Sequence, residues 1–307
     1  MCKVDFFIIG APKCGTSSLA QYLGEHQQIF FSIHKEPRFF STDLVGNTKY
    51  NDLKTLDQYH DLFNGSKKNQ ILGEGSTTYL FSKDAVPAIL DYNPNAKFIV
   101  MLRNPVDMVQ SWHSQKVFEN QENIEDFKKA WELQEARQKG QNIPNSCREP
   151  QFLQYRKWAL FGEQIQRLFS HVDREQVNVI LFDDFIAEPR KIYVSVLDFL
   201  GIPDDGKIEF DLINPNKFYR YRWLHKFRTT LSKSRKSNFV LTNSHKFLTS
   251  VLNVNGLGIQ RAMLNIGYIK KQRALIDDKL NKLLQSYFSS DIALLSTLID
   301  RDLSCWQ

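Results

Sequence analysis

The segment GAPKCGT at 10–16 puts two glycines, Gly10 and Gly15, a lysine and the first of three successive hydroxyls behind the apolar run VDFFII. Backbone N–H groups in such a turn, with the positive end of a helix starting at Thr16, surround an anion. Lys13 and the hydroxyls of Thr16, Ser17 and Ser18 add donors. In the ATP and GTP loop, G-x-x-x-x-G-K-[ST], the lysine follows the second glycine. Here the glycine spacing is kept and the lysine sits mid-loop, so the expected ligand is phosphate-like but different. The other reading is a tight strand-to-helix turn with no ligand. A second cationic point is Arg103, directly after the apolar run KFIVML, where a planar guanidinium pairs with two phosphate oxygens. Ser111, two helical turns further on, adds a hydroxyl. Taken singly, these two also fit a surface arginine and a helix-face hydroxyl; a second phosphate explains both together.

These residues need strands and helices to hold them. Val4 to Ile9 reads as a buried parallel strand, followed by the loop and a helix, TSSLAQYLGEH. IFFS at 29–32 predicts a second strand, and Ile71 and Leu72 open another before GEGSTTYLF. Asp84 is placed to cap a helix AVPAILDY that stops before Asn93-Pro94. Lys97 to Leu102 predicts a strand, with Asn104-Pro105 starting the next helix. IEDFKKAWELQEAR reads as one helix, KGQNIPNSCREP as an exposed loop, and 151–170 as helical. VNVILF at 177–182 reads as a strand, and Glu188 to Leu200 as a helix closed by Gly201. After 240 the pattern is mainly helical. Alternating strands and helices predict an α/β fold with a parallel sheet covered on both faces and ligands at the carboxyl ends of its strands. One domain over 1–307 is expected, with a nucleotide-binding core over 1–203 and a helical cap and C-terminal segment over 204–307.

With 42% apolar and 13% aromatic residues the chain has ample material for a packed core. Four scattered cysteines, Cys2, Cys14, Cys147 and Cys305, show neither disulfide nor zinc-ligand spacing. No basic stretch with a long apolar segment precedes the first strand, and no run of about 18 apolar residues occurs. A cytoplasmic protein without a membrane span is therefore expected. A net charge of +6 suits anionic ligands and is too small to imply nucleic acid. A local excess, KFYRYRWLHKFRTTLSKSRK at 217–236, carries no acid; it is either a solvated helix face or one wall of an anion pocket.

GAPKCGTSSL resembles the 5′-phosphosulfate loop of sulfotransferases that use 3′-phosphoadenosine-5′-phosphosulfate (PAPS). KFIVMLRNPVDMVQSWHSQ is similar to that family's second signature, in which a serine eight residues after the arginine binds the 3′-phosphate with it. The matching positions are Arg103 and Ser111. HKEPRFF resembles the K-E-P-H-F-F segment of bacterial and heparan-type members, whose glutamate is the usual general base; here it is Glu36. The resemblance runs in order from 4 to 203, through VILFDDFIAEPRKIYVSVLDFLGIP, and continues loosely in WLHKF and DLSCW. It implies sulfuryl transfer from PAPS, leaving 3′-phosphoadenosine-5′-phosphate (PAP). The 5′-phosphate would be held by Lys13, Cys14, Gly15, Thr16, Ser17 and Ser18, with Lys13 meeting the leaving oxygen. In the basic segment, Arg220 and Arg222 align with a stretch that approaches the cofactor phosphate in relatives.

A base is needed because the acceptor loses a proton as it attacks sulfur. Glu36 is the choice; His34, His113 and Glu74 are the other candidates, and Glu36 read alone also fits a surface acid paired to Lys35 or Arg38. No metal is expected, since the departing group brings no γ-phosphate to neutralise and no acidic metal ligand follows a neighbouring strand. Arg38 stands where many relatives have histidine, and Gly75 where heparan-type enzymes have lysine. Both departures argue against a heparan-like acceptor. A small-molecule or carrier-bound metabolite, sulfated on a hydroxyl or less readily an amine, is expected instead, with no nucleic-acid partner and oligomeric state open. The alternatives are a magnesium-dependent nucleotide kinase or hydrolase, and a nucleotide- or nucleic-acid-binding protein using the basic segment.

Overall fold

Strand β1 (Phe6–Gly10) is buried at all five positions, which requires cover on both faces of the sheet because successive side chains point to opposite sides. The computed structural model describes residues 3–44, 53–210 and 276–307, and the backbone of two short strands at 217–219 and 268–270. After β1 come α1 (Thr16–Gly24), β2 (Ile29–Phe31), α2 (Leu56–His60), β3 (Ile71–Gly75), α3 (Ala85–Tyr92), β4 (Lys97–Leu102) and α4 (Pro105–Phe118). Then follow α5 (Phe127–Glu132), α6 (Gln134–Gln138), α7 (Tyr155–Trp158), α8 (Phe161–Phe169), β5 (Val177–Leu181), α9 (Phe182–Ala187) and α10 (Pro189–Leu200). The chain forms two compact units, 1–213 with 276–307, and 214–275. The second contributes the antiparallel pair β6 (Lys217–Tyr219) and β7 (Tyr268–Lys270). The first ends with α11 (Asp278–Ile299).

The five strands of the first unit are all parallel, in the order β2-β3-β1-β4-β5. From β1 the chain moves to the β2 side, and from β4 to the β5 side, so the strand order reverses between β1 and β4. A crevice at the carboxyl ends of such a pair is where open α/β sheets take ligands. Just past that end, Ala11 N donates to Met101 O at 2.7 Å, holding the exit of β1 against β4. The fold class expected from the strand and helix pattern is the one observed. Strand β3 runs on through Glu74 and Gly75 rather than stopping at Leu72. Its Gly73 is required, because a Cβ there would lie 2.2 Å from the Phe6 ring.

Helix boundaries differ where tertiary contacts replace local signals. Asp84 occupies the cap position of α3 but makes no side-chain cap bond. Ser82 Oγ instead accepts from Asp84 N and Ala85 N, at 3.2 and 3.1 Å. Ser82→Ala should therefore cost about 1 kcal/mol, the usual worth of a cap, read as a fall in Tm of a few degrees, while Asp84→Ala should cost less. The helix expected over IEDFKKAWELQEAR breaks at Leu133, and 151–170 divides into a 3-10 turn, α7 and α8. Arg137 is wholly buried and grips Glu122 through both carboxylate oxygens at 2.6 and 2.8 Å, with Tyr155 donating at 2.7 Å. That buried trio overrides the single-helix pattern. The terminal segment docks by polar contacts as well as packing. Asp291 of α11 accepts from Gly162 N and Glu163 N at the start of α8, and the Trp306 indole donates to Asp183.

Candidate functional site

In the loop between β1 and α1, Lys13 and Gly15 both adopt left-handed backbone, at φ 67° and 87°. A glycine is needed at 15, since a Cβ would come within 2.9 Å of the Phe182 ring. The first N–H groups of α1 have no carbonyl within the helix to receive them, and no acidic residue lies in its first turn. Cys14 is buried and its Sγ donates to Pro12 O; burial pushes the thiol up to about 12, against the pull of Arg103 and Lys13. Its side chain is thus a neutral part of the core, and only its backbone faces the loop. Thr16 and Ser18 are buried, while half-buried Ser17 accepts from Lys35 Nζ at 2.5 Å.

Arg103 emerges from β4 on the far side of the crevice. Its guanidinium lies 5.0 Å from the Phe182 ring centre and donates to Asp107 at 2.9 Å. Its buried Nε has no hydrogen-bond partner among the described residues. Asn104 accepts from Val106 N, and Pro105 opens α4, so the arginine is delivered at the start of the helix that carries Ser111. Ser111 is buried. Gln115 lies one turn beyond it on the same face, and Lys13 Nζ donates to Gln115 Oε1 at 2.7 Å. The loop, Arg103 and the Ser111 face of α4 therefore border one crevice.

The base candidates occupy different surroundings. Glu36 sits in a turn with left-handed residues at 36 and 38, anchored by Glu36 N to Gly75 O and Arg38 N to Ser76 Oγ, each 2.9 Å. Its carboxylate accepts from Arg38 Nη2 at 2.7 Å and Thr77 Oγ1 at 3.1 Å, with Lys35 Nζ 3.8 Å away. Burial opposes its charge, but Arg38 and Lys35 outweigh burial and hold the carboxyl below its ordinary range. The side chain remains a quarter exposed. Burial draws the Lys35 ammonium below its ordinary value, partly offset by Glu36. Glu74 is fully buried, accepts from Tyr59 and Tyr79 at 2.8 and 3.1 Å, and is raised by burial to about 7, Glu36 adding to the rise. His113 is buried with Nε2 2.8 Å from Ile124 O, and burial lowers its pKa. His34 is exposed.

The Lys35 bond to Ser17 joins the Glu36 turn to the start of α1 behind the 10–16 loop, so Lys13, Ser17, Lys35 and Glu36 fall together at one end of the sheet. Gly75 O accepts from the backbone of Glu36, and a Cβ added at Gly75 would lie 3.1 Å from the Phe31 ring. Arg220 and Arg222 lie outside the described residues. Lys35 entered the sequence reading only as a partner of Glu36 and as the lysine of the K-E-P segment; Thr77 and Gln115 were not singled out there, although Gln115 stands four residues after Ser111 on a helix. Among the described residues no group of three His, Cys, Asp or Glu is placed to hold a metal, and no helix is long and apolar enough to cross a membrane.

The family model described as Sulfotransferase domain matches residues 3–249. A sulfotransferase of known structure from Alicyclobacillus acidocaldarius is 26% identical with a TM-score of 0.72, over 100% of this chain and 99% of that one. Carbohydrate sulfotransferase 15 of Homo sapiens is 31% identical over 36% of this chain and 27% of its own length. Bifunctional heparan sulfate N-deacetylase/N-sulfotransferase 1 of Xenopus laevis is 24% identical over 85% of this chain and 30% of its own. The chain thus spans less than a third of either curated relative.

Proposed function

Since the chain belongs to the sulfotransferase family, we propose that it moves a sulfuryl group from PAPS to a hydroxyl, less readily an amine, of a small-molecule or carrier-bound metabolite. The observation that carries this is the Lys35–Ser17 hydrogen bond, which ties a carboxylate-bearing turn to the start of α1 behind the anion loop. A proton acceptor and a leaving-group site then share one end of the sheet. The donor set fits PAPS: one cluster, Lys13 with the α1 N-terminus and Ser17, suits the 5′-phosphosulfate. A second, Arg103 with its unmatched buried Nε and Ser111, suits the 3′-phosphate.

When bound, PAPS supplies an activated sulfur whose bond to the 5′-phosphate breaks as the acceptor oxygen attacks in line. Glu36 takes the acceptor's proton, since its carboxyl is ionised and reachable from solvent. Negative charge grows on the departing phosphate oxygen, where Lys13 and the loop N–H groups are fixed in advance. Side-chain cations supply this neutralisation, so no metal is assigned a role. Isothermal titration should show PAP binding without magnesium, and Arg103→Ala should weaken it at least about 10-fold, the scale of a charge-assisted hydrogen bond. Absence of PAP binding by the intact chain would overturn the reading. A screen of hydroxyl and amine acceptors with radiolabelled PAPS then identifies the substrate class.

A further inference from the structure

Gln115 stands between the loop lysine and a half-buried carboxylate. Its Oε1 accepts from Lys13 Nζ at 2.7 Å, and its Nε2 donates to Glu119 Oε1 at 2.7 Å. The two ends of a primary amide are nearly alike in shape, so its neighbours decide which way it points. An ammonium only donates and a carboxylate only accepts. One orientation alone satisfies Lys13 and Glu119 together.

Glu119 is itself firmly held. Its other oxygen accepts from Lys116 Nζ at 2.7 Å and from Gln121 Nε2 at 3.0 Å. Burial opposes its ionisation, but Lys116, these bonds and Arg38 outweigh burial and keep its carboxyl below the ordinary range. Lys116 is buried, with Nζ 3.8 Å from the Trp112 ring centre and 4.5 Å from that of Phe152. The guanidinium carbon of Arg38, the partner of Glu36, lies 5.6 Å from the Phe152 ring centre. The anchor of the amide is therefore a rigid ion pair set in aromatic rings, next to the turn that carries Glu36.

We propose that Gln115 is a positioning residue for Lys13, oriented by Glu119: its amide oxygen holds the ammonium over the anion loop. This rests on Lys13 serving as a ligand of the donor phosphate. Gln115→Leu removes the oxygen. Glu119→Gln keeps the shape but allows the Gln115 amide to turn and present its NH2 group to the ammonium.

A double-mutant cycle on the full chain tests this, with PAP affinity from calorimetry as the readout. Gln115→Leu should weaken PAP about 3- to 10-fold when Lys13 is present and less than about 2-fold in the Lys13→Ala background, the coupling expected of groups in direct contact. Glu119→Gln should show the same dependence on Lys13 at smaller amplitude. Equal losses in both backgrounds, or unchanged or tighter binding in Gln115→Leu, would overturn the positioning role and leave the sulfotransferase reading standing. If the unmodified chain binds no PAP, the donor reading falls and this role falls with it. Melting temperatures of the six proteins identify any variant that fails to fold, and Glu119→Gln, nearly isosteric, then carries the test.

Discussion

Lys13→Ala should lower turnover about 100- to 1,000-fold at saturating donor and acceptor, the loss seen when one preorganised donor is removed from a developing anion. Three observations set that size. The residue is at the exit of β1 with left-handed backbone, its ammonium is bonded to Gln115, and the first turn of α1 contains no acid that would compete for it. Alanine and lysine both carry a Cβ, so the backbone strain at φ 67° is the same in each. Lys13→Gly relieves that strain and should lose as much activity, separating charge from backbone. Lys13→Arg keeps the charge but replaces a compact ammonium with a planar fork, and should recover only part of the rate. Turnover of Lys13→Ala within about threefold of the unmodified chain would remove the lysine from the chemistry.

Strands β1 and β4 were legible because each is a short, almost wholly apolar run, and β4 has the expected limits; β3, ILGEG, was legible only at its first two residues, and β6 and β7 were not anticipated. The loop at 10–16 was legible because all of its signals lie within one stretch. What escaped is non-local. Ser82 takes the capping role from Asp84 because its hydroxyl reaches both N–H groups, which only the folded turn shows. The break at Leu133 follows from Arg137 reaching back to Glu122, fifteen residues away. Lys35 meets Ser17, and Gln115 meets Lys13, across gaps that β2 and β4 close by lying on opposite sides of β1. Glu74 stands in the sequence as one more base candidate, at the end of an adjacent strand. Burial against Tyr59 and Tyr79, with Glu36 beside it, gives it properties unlike those of Glu36.

Glu36→Gln should reduce turnover about 100-fold or more, the scale of general-base catalysis, with PAP affinity kept within about threefold because the amide oxygen still accepts from Arg38. The pH dependence of kcat/KM for the acceptor separates this base from its neighbour, since that quantity reports ionisations of the free enzyme. The Glu36 carboxyl is held below its ordinary range, so a Glu36 base is fully ionised through neutral pH. Its rate then falls only in acid below that range. A Glu74 base, raised to about 7, would instead give an acid limb centred near pH 7, falling about tenfold per unit below it. A flat profile from pH 6 to 8 is the expected result; an inflection near 7 that vanishes in Glu74→Gln would move the role to Glu74. Glu74 still has to titrate, and stability is where this appears. With a folded pKa above the unfolded one, the native chain holds a proton that the unfolded chain releases. Unfolding free energy therefore falls as pH rises from the ordinary carboxylate range to about 7. Glu36 contributes in the opposite sense, with stability present above its unfolded pKa and lost as pH drops through its lower folded value. Tm should accordingly decline toward neutral pH in the unmodified chain and hold level in Glu74→Gln. Two carboxyl groups at the same end of one sheet are thus told apart, one by rate and the other by melting.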